Sequence, residues 1–328
     1  MKYKLDTAET IRYNNEPYHL RIRSNDEKNP VVLFLHGGPG SPDRPWVMKY
    51  QSSLADVCAI VAWDQRGAGL AYSKKLARIE AQTMTKEQYI NDTHNVMQYL
   101  KERFKQDRII IAGHSFGSWL GVWVAQRFPE DIAAFVGTGQ CVDIVRHEAI
   151  SFDFAMKEAV RRGDKRVIKK LYSVGPPVNG FYKDGKVGVQ RKILEKYGGI
   201  HYGKYAGWMM PSIFKEYSPV TWLNFMKGNR HCHNSPMGKE RVNFIEEARE
   251  LDIPVYLFMG RHDYNTPFVL AEEWYDILRA PYKQFIWFEK SGHSPQYEEP
   301  EAWNSAFARY VLKTELGAIS LTNAEKSA

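Results

Sequence analysis

The chain has 328 residues, enough to bury a large core, and its 44% hydrophobic and 25% charged residues sit near the globular average, which excludes a disordered or fibrous protein. Its formal charge of +7 is modest for this size and argues against a nucleic-acid partner, and its apolar runs fall far short of the roughly 18 residues a membrane span needs. Three scattered cysteines, Cys58, Cys141 and Cys232, exclude a disulfide framework, and a beginning without an apolar leader reads as a cytoplasmic protein.

Thr10–Tyr13 and Tyr18–Arg23 flank Asn14-Asn-Glu-Pro17 and read as an antiparallel hairpin at a sheet edge. Buried-strand runs follow at Val31–Leu35, Val57–Trp63, Arg108–Ala112, Ala133–Thr138, Val255–Met259 and Phe285–Phe288. They lack strict alternation, which suits parallel strands covered on both faces. Helical patterns lie between them. Thr85-Lys-Glu-Gln88 has the form of a capping box opening a helix to about Phe104, Ser115–Arg127 repeats apolar residues at helical spacing, and Pro267–Leu278 begins with proline. Strand alternating with helix predicts a doubly wound α/β sheet.

From about Val145 to Ala248 the alternation stops, and aromatic-rich helical stretches and loops take its place. The segment is too apolar for a linker and reads as a helical insertion packed over the carboxyl edge of the sheet, where open α/β folds bind ligands. Its densest basic run, Arg161–Lys170, spaces Val167, Ile168 and Leu171 as a buried stripe, so the charges read as a solvated helix face. His231-Cys232-His233 reads as a loop and not as a metal site, because alternate side chains diverge and no second ligand pair sits nearby. No metal or cofactor is expected.

Gly113-His-Ser-Phe-Gly117 fits G-x-S-x-G at a strand-to-helix junction. A tight elbow there crowds the backbone beside Ser115, and a side chain at either glycine would clash. The following helix aims its N-terminal N–H groups at the place where negative charge would form. A serine hydroxyl needs a base, itself oriented by an acid, and in this kind of sheet both follow the serine at the ends of later strands. Asp263 lies just beyond Val255–Met259, and His293 just beyond Phe285–Phe288. An oxyanion hole needs two converging N–H groups. Phe116, after the nucleophile, supplies one, and Gly38 in Leu35-His-Gly-Gly-Pro-Gly40 supplies the other, with Gly37 in reserve. His36 is expected to brace that loop, and His114 to be a packed neighbour of the serine.

His36-Gly-Gly-Pro-Gly-Ser-Pro42, Trp63-Asp-Gln-Arg-Gly-Ala-Gly69, Gly113-His-Ser-Phe-Gly-Ser118, Gly260-Arg-His-Asp263 and Ser291-Gly-His293 together resemble the α/β-hydrolase superfamily, in forms similar to the proline iminopeptidases. The resemblance covers about residues 10–144 and 249–316. It implies a hydrolase core at 1–144 and 249–328, a helical cap at 145–248, and the roles nucleophile for Ser115, orienting acid for Asp263 and general base for His293. In the aminopeptidases, cap carboxylates hold the substrate's free α-amine, one of them in a tryptophan-rich W-x-x-W-E type segment. This cap has no Trp-Glu pair. Glu148 and Glu216, the latter between Phe214 and Tyr217, are the candidate anchors here.

The reading is a cofactor-independent serine hydrolase acting on a small molecule or short peptide through an acyl-enzyme, proline iminopeptidase-like. A carboxylesterase or lactonase for small neutral substrates is the first rival, and a non-catalytic binding protein of the same fold the second. A serine nucleophile argues against the dehalogenase and epoxide-hydrolase variants, which attack with a carboxylate.

Overall fold

In a computed structural model, residues 3–13, 16–74, 82–203 and 215–314 are described. Eight strands form one sheet in the order β1-β2-β4-β3-β5-β6-β7-β8. They are β1 (Leu5–Tyr13), β2 (Glu16–Ser24), β3 (Val31–Leu35), β4 (Ala59–Asp64), β5 (Ile109–His114), β6 (Ile132–Thr138), β7 (Val255–Gly260) and β8 (Lys283–Phe288). β1 and β2 pair antiparallel, as do β2 and β4, whereas every pair from β4 through β8 is parallel. The hairpin strands run longer than the sequence predicts, and Asn14 and Asn15 of their turn lie outside the described residues.

The helices are α1 (Arg44–Tyr50), α2 (Lys86–Phe104), α3 (Phe116–Arg127), α4 (Ile144–Arg161), α5 (Lys165–Val174), α6 (Val187–Lys196), α7 (Pro219–Asn234), α8 (Phe244–Glu247), α9 (Phe268–Ile277), α10 (Pro295–Glu298) and α11 (Pro300–Ala306). β3 shows why the strand runs are unbroken. Val31, Leu33 and Leu35 enter a core with α2, α3 and α9, while Val32 and Phe34 enter a second core with Val47, Trp303 and Phe307. Both faces are covered, so alternation disappears. Removing the side chain of a residue such as fully buried Leu33 by Leu33→Ala would cost about 2–5 kcal/mol.

At Thr85 only half of the expected capping box forms. Its hydroxyl accepts from the Gln88 N–H, but the Gln88 side chain turns away to donate to Asp92. Between β6 and β7 the described residues contribute α4 to α8 and no sheet strand. The basic run divides at Gly163, and Asp164 caps the next helix, so Val167 and Leu171 are buried in the insertion's own small core with Phe152 and Ile193. His231-Cys232-His233 belongs to the last turn of α7, not to a loop, because Cys232 is drawn inward against Gly40 and Gly67. Tyr205, Trp208 and Phe214 lie outside the described residues.

Candidate active site

The order of the strands reverses between β3 and β5, so the loops leaving their carboxyl ends face one another. β5 runs into Ser115, whose backbone sits at φ 55 and ψ −119, and α3 starts at the next residue. That is a conformation a side chain pays for, of the kind stored at functional sites. The flanking glycines have a measurable reason. A Cβ on Gly113 would lie 2.3 Å from the Gly117 carbonyl oxygen, and one on Gly117 would lie 2.0 Å from that of Leu35. The elbow therefore exists only if both positions lack side chains. Ser115 N–H donates to the Thr138 carbonyl at 3.0 Å, which ties the elbow to the end of β6.

Asp263, beyond β7, is fully buried and accepts four hydrogen bonds. Its Oδ1 takes the N–H groups of Asn265 (2.9 Å) and Thr266 (2.8 Å), and its Oδ2 takes the Thr266 hydroxyl (2.8 Å) and His293 Nδ1 (2.9 Å). With Nδ1–H committed to the carboxylate, Nε2 is left as the basic nitrogen of His293. Gly139, at the end of β6, stands so near that a Cβ there would be 2.9 Å from His293 Nδ1. The structure thus brings His293 and Asp263 into direct contact, at the carboxyl edge that also carries Ser115.

His114, the residue before the serine, contacts the loop that carries His293. Its Nε2 donates to the His293 carbonyl at 3.0 Å, and the two rings lie 4.8 Å apart. Burial and the neighbouring His293 hold His114 well below the usual imidazole range, so it stays neutral. His36 braces its loop through both ring nitrogens, donating from Nδ1 to the Gly37 carbonyl (2.9 Å) and accepting the Gln65 N–H at Nε2 (3.1 Å). Burial lowers it to about 4, which keeps that accepting nitrogen unprotonated. In the same loop Gly38 has φ +117, a conformation suited to glycine, and Gly37 approaches so closely that a Cβ on it would be 3.1 Å from Ser115 Cβ. Phe116 is buried at the first turn of α3.

The two candidate anchors have different surroundings. Glu148, on α4, is buried and ion-paired through Oε1 with Arg191 of α6, while its Oε2 has no hydrogen-bond partner. Burial works to raise its carboxyl, but Arg191 outweighs this and holds it below the usual range. His147 beside it is lowered to about 4 by burial, and the charges of Asp263 and His293 are near enough to act on it. Glu216 lies elsewhere, held by Arg21 Nε at 3.1 Å and Arg44 Nη2 at 3.5 Å, next to the Tyr217 hydroxyl that donates to Asp64. Its charge is already balanced, and it fastens the approach to α7 onto β2 and α1.

Thr266 was missed in the sequence. An aspartate followed by small polar residues at the second and third positions signals a side-chain-to-backbone turn, and Asp263-Tyr-Asn-Thr266 has that form. Nothing local pointed to Arg191, whose partner lies 43 positions away. Among the described residues no group of three or more His, Cys, Asp or Glu could hold a metal, and no helix is long and apolar enough to cross a membrane.

A protein family described as alpha/beta hydrolase fold matches residues 30–167. The Probable aminopeptidase YbaC of Bacillus subtilis (strain 168) is 30% identical over 316 residues, covering 94% of this chain and 98% of that protein. A proline iminopeptidase of Lactobacillus delbrueckii subsp. lactis is 20% identical over 328 residues, covering 94% of this chain and 99% of its own. Two solved structures superpose at 16% identity: proline iminopeptidase from Mycobacterium smegmatis, with a TM-score of 0.66 over 94% of this chain and 98% of that one, and esterase RhEst1 from Rhodococcus sp. ECU1013, with 0.64 over 94% and 99%. At that identity the structures speak for the fold alone.

Proposed function

From a chain that belongs to the α/β-hydrolase family, we propose a serine hydrolase that cleaves an amide or ester bond through an acyl-enzyme and releases an N-terminal residue from a small peptide. The observation that carries this reading is the 2.9 Å contact between His293 Nδ1 and Asp263 Oδ2, on the sheet edge that also bears the strained Ser115 elbow. Ser115 Oγ attacks the carbonyl while His293 Nε2 takes its proton. The N–H groups of Phe116 and Gly38 stabilise the oxyanion, and His293 returns the proton to the leaving group. A water deprotonated by His293 then opens the ester and frees the acid. These steps draw on the chain's own groups.

In this reading residues 145–248 form the cap over the site, and Glu148 meets the substrate's α-ammonium. An ammonium enclosed there loses its water and needs a carboxylate in return. The buried Glu148 Oε2, which has no hydrogen-bond partner, supports that assignment. A second reading, an esterase for neutral substrates, draws support from Arg191, which already compensates Glu148.

Three substrates separate the readings: an aminoacyl arylamide, its N-acetylated form and a neutral ester. The aminopeptidase reading expects the free amine to be cleaved far better than the blocked one. It also expects Glu148→Gln to cost the free-amine substrate about 2–5 kcal/mol in kcat/KM while sparing the ester. Equal rates on blocked and free substrates would leave the esterase. A folded protein whose Ser115 resists a fluorophosphonate would leave a binding protein.

A further inference from the structure

Three consecutive backbone amides surround the base, and each is claimed from outside its own loop. Gly292 N–H lies 3.1 Å from both oxygens of Glu298, and Ser294 N–H donates to Glu298 Oε1 at 3.0 Å. Between them, His293 N–H donates to the Ile200 carbonyl at 2.6 Å. Glu298 Oε2 also accepts the Tyr202 N–H at 2.7 Å. One carboxylate therefore grips the backbone on both sides of His293 and crosses to the segment that follows α6. That segment reaches the acid loop as well, since the Gly199 carbonyl accepts the Tyr264 N–H at 2.9 Å, and the Tyr202 ring stacks on His262 at 3.8 Å.

Glu298 is buried, so its charge is costly unless these donors are present. The fit leaves no slack. A Cβ on Gly292 would lie 2.2 Å from the Ile200 carbonyl oxygen, and one on Gly260, at the end of β7, would lie 1.9 Å from the Gly292 carbonyl oxygen. The base loop is thus held between the end of β7 and residues 199–202.

We propose that Glu298 is a positioning residue for hydrolysis, locking the backbone of His293 to the docked segment 199–202 so that the base keeps its working position only while that segment stays in place. The inference rests on His293 being the general base. Docking of the insertion and competence of the catalytic histidine then become one event. A ligand that presses residues 199–202 onto the core also sets the base.

The test compares Glu298→Gln, Glu298→Asp and Gly292→Ala with the parent enzyme. Glutamine keeps one acceptor oxygen but turns an N–H donor towards Gly292 or Tyr202, so at least one link opens. Gly292→Ala leaves Glu298 intact and pushes the Ile200 carbonyl away. Both should lower kcat about 10- to 100-fold, the scale of a small misplacement of a reacting group, with KM within about twofold and unfolding midpoints well above the assay temperature. Glu298→Asp, which keeps the charge, should recover part of the loss. Parent kcat in Glu298→Gln, or a loss carried by KM, overturns the proposal; if Glu298→Gln does not fold, Gly292→Ala decides on the same criteria. A His293→Ala control separates the two levels. Turnover that survives it overturns the base assignment and this inference together, whereas an inactive His293→Ala beside an unimpaired Glu298→Gln overturns this inference alone.

Discussion

Ser115 stores backbone strain, and substitution can release it. At φ 55 and ψ −119 any side chain at this position crowds the backbone, at a cost of about 1–3 kcal/mol. Glycine is free of that cost but loses about 0.5–1 kcal/mol more conformational entropy on folding. Ser115→Ala keeps the strained Cβ and removes only the hydroxyl, so comparing Ser115→Gly with Ser115→Ala isolates the backbone term. The difference favours glycine by about 1 kcal/mol, which at a slope near 3 kcal/mol/M moves a urea midpoint by about 0.3 M. Both variants should lose nearly all turnover, by up to about a million-fold in the worked case of an unrelated serine protease. Urea titration read by fluorescence, with the slope held common to both variants, measures the first effect. An aminoacyl arylamide assay measures the second. A glycine variant less stable than the alanine variant would show that the elbow is relaxed and that the strain argument fails.

Asp263→Asn should lower kcat by about 10⁴, leaving His293 in the wrong tautomer, whereas exposed Asp252→Asn, ahead of β7, should change little; equal effects would mean the acid is misassigned. Glu216→Gln should lower stability by weakening the pairs with Arg21 and Arg44 while leaving the preference for free over acetylated amines intact, and a selective loss on the free-amine substrate would restore Glu216 as an anchor. Burial, with the charge of Asp64 nearby, raises Asp43 to about 7. The folded chain therefore keeps a proton that the unfolded chain releases between about pH 4 and 7, and stability falls as pH rises through that window. Asp43→Asn removes this slope and should be more stable than the parent at pH 8 by up to about 4 kcal/mol; parallel pH–stability curves would refute it.

The strands were legible because burial on both faces leaves its mark within five or six consecutive residues, as Val31–Leu35 shows. The Ser115 elbow was legible because its steric demand is met by glycines two positions away. Asp263 and His293 could be read because each follows a strand run directly. Glu298, Arg191 and the burial of Cys232 could not, because each is defined by a partner distant in sequence. His231-Cys232-His233 reads as a loop when its alternate side chains are taken to diverge along an extended chain with no second ligand pair nearby. The chain there is helical instead, with Cys232 packed against Gly40 and Gly67, a contact between distant positions. Glu216 looked like an anchor while its neighbours were only Phe214 and Tyr217; two arginines from the far end of the sequence give it a different occupation.

The place of Cys232 makes the chain its own reporter. Its thiol is sealed between α7 and the backbone of Gly40 and Gly67, and burial raises it to about 12. Cys58 is sealed within the sheet's second core instead. A thiol reagent reaches Cys232 only when α7 lifts from the loop that follows β3, whereas Cys58 is reached only when the sheet itself opens. The ratio of the two trapping rates is therefore a clock for lifting of the insertion, read by mass spectrometry on the unlabelled protein.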